Sequence, residues 1–171
     1  MESILSGPIV YAISIKNRNL EFYRAMAAKV SDNSIRKVFD TLAEEESGHL
    51  EAFCDLYQGE ETELAAILNR SSIFIDPYYC SLITSIDGAS GESDALRIAL
   101  RQDQSCIEWF AVFADIIRVP HIHAVFAKVL EETTKRGDLI QNEYMRLTVR
   151  NPADNRHKTI LNTAPLHELS L

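Results

Sequence analysis

Residues 38–53 read VFDTLAEEESGHLEAF. Apolar side chains return at Phe39, Leu42, Ala43, Leu50 and Phe53, at the spacing of one face of an α-helix. Glu46 and His49 stand three apart in the same stretch, so both project to one side of that helix. A carboxylate and an imidazole placed this way are either a pair of metal ligands or an ordinary solvated pair. What surrounds them decides which.

The stretch has a second copy. VFDTLAEE (38–45) matches VFAKVLEE (125–132), and Phe39 and Phe126 are 87 positions apart (126 − 39). At the same shift LEFY (20–23) falls on IEWF (107–110), Ile35 on Ile122, Glu44 and Glu45 on Glu131 and Glu132, and Tyr57 on Tyr144, without a gap. Each copy is a pair of periodic segments, about 8–30 with 34–58 and about 94–118 with 120–147. SDNS (31–34) offers N-cap side chains to the second segment. Gly59 is a candidate C′ residue behind it. GESD (91–94) precedes the third, and Pro120 suits the first turn of the fourth, where its missing N–H leaves nothing unpaired.

A helical hairpin written twice predicts an all-α four-helix bundle with pseudo-two-fold symmetry. The hairpins are joined by one long crossover, residues 59–93, which is the ferritin-like topology rather than the up-down-up-down one. ETELAAILN (61–69) suits a short helix inside the crossover. Residues 148–171 contain two prolines and little periodicity and read as a tail against the bundle or a second subunit. One domain over 1–171 accounts for the chain.

The bulk numbers agree. The 171 residues are 46% hydrophobic and 25% charged, an ordinary globular mixture. The net charge of −8 argues against nucleic acid or an anionic membrane as partner, because both attract basic surfaces. No apolar run approaches the roughly 20 residues that span a bilayer, and the N-terminal residues lack the basic start of a signal peptide. Cys54, Cys80 and Cys106 are odd in number and widely spaced, which suits a reducing, cytoplasmic setting and excludes a paired-CxxC metal site.

Residues 14–53, SIKNRNLEFYRAMAAKVSDNSIRKVFDTLAEEESGHLEAF, resemble the rubrerythrin-like branch of the ferritin-like superfamily. That branch has an EFY run, a short loop and a helix bearing LAEEE-x-x-H. The likeness is strong over about 8–58 and weaker over 94–146. It implies a di-iron carboxylate site with oxidoreductase chemistry (peroxide reduction or iron oxidation), an external electron donor and a homodimer. Such a site takes one Glu from each of two helices and a Glu-x-x-His from each of the other two. The lone Glu lies seven residues before the aromatic end of the EFY run. Carried onto this chain, the six ligand positions read Lys16, Glu46, His49, Asp103, Thr133 and Arg136.

Only Glu46, His49 and Asp103 of these are metal-binding types. Lys16 and Arg136 are permanent cations facing two anions. Buried together, the four charges would pair with one another, since an unpaired buried ion costs several kcal/mol. The expectation is therefore a structural or binding module with no cofactor, in which LAEEESGHLEAF is a relic of the metal site. The alternative is one iron or zinc per chain on Glu46, His49 and Asp103, with Cys106 one turn away as a further ligand. His121 and His123 are two apart on a helix and face different ways, which makes them a poor metal clip. Tyr11, Phe22, Tyr23, Trp109, Phe110 and Phe113 read as core, and the three cysteines as small buried hydrophobes.

Overall fold

The computed structural model describes residues 2–86 and 88–150. Four long helices form the bundle: α1 (Glu2–Lys29), α2 (Asn33–Leu56), α5 (Gly88–Ile116) and α6 (Pro120–Arg150). The crossover carries α3 (Glu61–Arg70), a 3₁₀ turn (Ile73–Ile75) and α4 (Pro77–Ser85). No strand occurs among the described residues. The main packing is α1 on α2 and α5 on α6, with α1 beside α5 and α2 beside α6. These are the two repeated hairpins joined by one long crossover.

Asp32 caps α2 as expected, its Oδ1 accepting from the Ser34 and Ile35 amides at 2.8 and 3.3 Å. Pro120 opens α6. Other boundaries differ from the sequence reading. α1 continues N-terminal to Pro8, which sits inside the helix and removes one backbone hydrogen bond there. α5 begins at Gly88, so GESD lies within it. Glu92 of that segment is buried and reaches the hairpin loop, accepting from the Ser31 and Asp32 amides. Gly59 is not the C′ residue, because α2 ends at Leu56 with Tyr57 as an extended cap. Gly59 serves instead as a close approach: a β-carbon there would collide with the Tyr57 ring. α6 runs through residues assigned to the tail, and residues 151–171 lie outside the described residues.

The crossover is tied to α1 by polar contacts. Asn17 Nδ2 donates to the Leu68 carbonyl and to Ser71 Oγ, both at 3.0 Å. Glu21 Oε2 accepts from Ser72 Oγ at 2.8 Å and from the Ile73 amide at 2.7 Å.

The apolar core falls into two halves. One half contains Leu20–Ala27 of α1 with Val30 just past its end, Ile35–Ala43 of α2, Ala95–Ala99 of α5 and Ile140–Leu147 of α6. The other contains Ile9–Ile13, Phe53, Phe110–Ile117 and Ile122–Val129. On every long helix the gap between the halves falls at the same level of the bundle. Lys16, Glu46, His49, Asp103, Thr133 and Arg136 occupy those gaps. Trp109 departs from its expected core role: it is 48% exposed, because it lies beside the exposed Glu108 on the outer side of α5, where it stacks on the edge of the core at Phe113. Of the cysteines only Cys106 is buried, while Cys54 and Cys80 are half-buried, and all three are free. No helix among the described residues is long and apolar enough to cross a membrane.

Candidate functional site

The six positions at the mid-plane are all buried, with Lys16, Glu46 and Thr133 fully so. α1 and α5 supply Lys16 and Asp103, and α2 and α6 supply the two i, i+3 pairs, Glu46 with His49 and Thr133 with Arg136. Long basic side chains often snorkel outward, but these do not. Lys16 Nζ lies 3.1 Å from Glu46 Oε1 and 5.0 Å from the centre of the Phe110 ring. Arg136 stands between the two carboxylates. Its Nε donates to Asp103 Oδ2 at 2.9 Å, and its Nη2 donates to both Glu46 Oε1 and Asp103 Oδ1. Its remaining nitrogen reaches Glu45 Oε2 at 3.4 Å. Tyr23 donates to Asp103 Oδ1 at 3.2 Å.

The repeat is visible in these contacts as reciprocal pairs. Positions 16 and 103 are equivalent at the 87-residue shift, as are 23 and 110. Lys16 packs on Phe110, and Asp103 bonds Tyr23. Positions 45 and 132 are equivalent, as are 49 and 136. Glu45 reaches Arg136, and Glu132 reaches His49, its Oε2 lying 2.9 Å from His49 Nε2. Asn19 and Cys106, also 87 apart, touch each other across the centre at 3.5 Å. The layer is thus organised about a two-fold axis at right angles to the helices. Glu45 and Glu132 were not singled out from the sequence. Their signal was the second glutamate of each LAEE and VLEE run, which recurs at the shift.

Burial alone would push the Glu46 carboxyl up. The charges of Lys16, Arg136 and His49 outweigh it and hold Glu46 below its ordinary value of 4.5. Burial lowers the His49 imidazole below 6.5, helped by the Lys16 charge and opposed by Glu46 and Glu132. Burial disfavours the Arg136 cation, but Glu46, Tyr23 and Asp103 reverse this and raise it further. Burial raises the Tyr23 phenol and the Cys106 thiol. For both Glu46 and His49 the folded value lies below the unfolded one. Their contributions are therefore present above the unfolded values and lost as pH falls through the folded ones. The urea midpoint is expected to decline in two stages on acidification, first below about pH 6.5 and then below about pH 4.5. His49→Gln should remove the first stage and leave the second. A flat profile from neutral pH to about pH 4.5 would contradict the burial of the imidazole.

A family model described as Rubrerythrin matches residues 9–144. The chain belongs to the rubrerythrin family. No curated protein and no solved structure matches it. The family's two-metal centre needs lone pairs at all of its ligand positions. An ammonium and a guanidinium have none to give, and at two of the six positions that the resemblance implies, Lys16 and Arg136 direct their charge at Glu46 and Asp103. Among the described residues no group of three or more His, Cys, Asp or Glu side chains is placed to hold a metal ion. The side chains present do not fit a rubrerythrin di-iron site. Among the six positions, Glu46 Oε2, His49 Nδ1 and Thr133 Oγ1 lack a partner, as does Asn19 Oδ1 beside them. His121 and His123 are exposed at the start of α6.

Proposed function

We propose that the cluster of Lys16, Glu46, Asp103 and Arg136 stands in place of the rubrerythrin metal centre, and that the chain works as a metal-independent structural or binding module. The carrying observation is Arg136, whose guanidinium is shared between the two carboxylates that would otherwise serve metals. Two cations and two anions close the charge balance of the layer internally. A divalent ion entering it would meet fixed positive charge at a depth where water screens little. Peroxide reduction or iron oxidation at two adjacent metals has no donor set here.

Elemental mass spectrometry on protein purified without chelators, and again after anaerobic iron loading, tests this reading. The expected result is no stoichiometric metal and no peroxide turnover. A stable centre of about two irons per chain would overturn it.

One observation favours a second reading. Glu46 Oε2 and His49 Nδ1 are buried and unpartnered, and a single iron or zinc would give them a partner if Asp103, with or without Cys106, released Arg136 to join them. About one metal per chain, stripped by His49→Ala with helical content unchanged, would select that arrangement.

A further inference from the structure

A cleft of about 240 Å³ opens between α1 and α3, on the outside of the bundle. Val10, Ser14 and Arg18 of α1 line one wall, and Ile67, Arg70 and Ser71 of the α3 end line the other. The spacing explains the wall on α1: positions 10, 14 and 18 follow one another at four-residue steps along a single face. Two arginines therefore share one concave site in a chain whose net charge is −8.

Neither arginine has a carboxylate within ion-pair distance among the described residues. Neighbouring acids are engaged elsewhere. Glu21 accepts from Ser72 and the Ile73 amide, and Glu63 accepts from Tyr57 at 3.1 Å. The Arg18 guanidinium carbon lies 5.9 Å from the centre of the Tyr79 ring, a contact that orders the group without neutralising its charge. The negative end of α3 is also blunted, because Asn17 Nδ2 and Ser71 Oγ both donate to the Leu68 carbonyl. The Ser71 hydroxyl is thereby occupied, which leaves the two guanidinia and Ser14 as the donors of the cleft. Ile67 is buried and Val10 half-buried, so the walls also offer apolar surface.

We propose that this cleft binds a small organic anion, with Arg18 and Arg70 holding a carboxylate or phosphate head and Val10 with Ile67 receiving a short apolar tail. The guanidinium fork matches both heads, which share planar or near-planar pairs of oxygens. The volume is below the roughly 300–1,000 Å³ of sites for drug-sized ligands, which limits the ligand to a few carbons beyond its head. The cleft lies outside the buried ionic layer, so the inference stands whether or not that layer holds a metal.

Titration calorimetry of the full chain with n-butyl phosphate and with butyrate, at fixed ionic strength, tests it and separates the two heads. At least one probe should bind saturably. Arg70→Ala should weaken that binding by roughly tenfold or more, the effect of losing one charge-assisted contact. Arg70 is exposed, so the variant should melt like the parent. Arg24→Ala, an exposed arginine of α1 outside the cleft, should leave the affinity unchanged. Inorganic phosphate, lacking the tail, should bind more weakly than butyl phosphate. Absence of saturable binding by both probes up to about 10 mM, or affinity untouched by Arg70→Ala, would overturn the proposal.

Discussion

Arg136→Met is expected to lower the stability of the fold by about 3–5 kcal/mol. The side chain is 3% exposed, so its ion pairs are not discounted by solvent as surface pairs are. Its removal leaves Asp103 with Tyr23 as its remaining bonded partner and Glu46 with Lys16. Two carboxylates would then share one cation in a layer closed above and below by apolar side chains. The measurement is urea denaturation of parent and variant, with the midpoint and slope read together. The deficit should shrink as pH falls toward the carboxylate range, because protonation removes the uncompensated charge. A companion variant sharpens the argument: replacing Lys16, Glu46, Asp103 and Arg136 together by Met or Leu should recover most of the loss. Breaking a buried ion pair is costly, whereas exchanging the whole set for apolar side chains of similar volume is often neutral or better. A loss below about 1 kcal/mol for Arg136→Met would mean that the guanidinium is not what compensates the two carboxylates.

The layer was legible in the sequence because two regularities meet there. Helical periodicity placed Glu46 and His49 on the inward face, and the 87-residue shift placed Lys16 opposite Asp103 and Arg136 at the equivalent of His49. Neither regularity specifies a rotamer. His49 turns its Nε2 to Glu132 rather than toward Asp103, and that choice follows from an acid on the other hairpin within reach of the ring. The crossover was less legible. α4 has mixed composition and no buried residue, so its periodicity carries little signal; its N-cap, Asp76 accepting from the Tyr78 amide at 2.9 Å, is a local one. The cleft on α1 was invisible because Arg70, far from Arg18 in sequence, belongs to the crossover and so lies outside the repeat. Trp109 shows the limit of alignment by copy: its equivalent, Phe22, is fully buried, while Trp109 is half-exposed. The crossover covers α1, with Tyr79 packing on Phe22.

Putting the family's ligands back into this backbone should have the larger chemical effect. The variant Lys16→Glu, Thr133→Glu, Arg136→His places one acidic side chain on each of α1 and α5 and a Glu-x-x-His on each of α2 and α6, the pattern of a two-metal bundle. It removes two cations from the layer and adds two carboxylates. Four buried carboxylates then require counter-charge, which two divalent ions supply. Without metal the variant is expected to be strongly destabilised and prone to unfold at its mid-plane. With ferrous iron or zinc it should bind about two ions per chain and regain stability that depends on metal concentration, since binding to the folded state alone shifts the equilibrium by mass action. Arg136→His alone should not do this, because Lys16 still directs its charge at Glu46. The readouts are metal content and the melting temperature with and without metal. A variant that takes up no metal would show that the six positions do not converge on a common point, and that the reciprocal contacts about the axis are packing without an inherited site. Uptake of two ions would show the converse. The backbone geometry of a rubrerythrin centre would then persist in this chain, with the side chains at three positions alone deciding between metal and ionic layer.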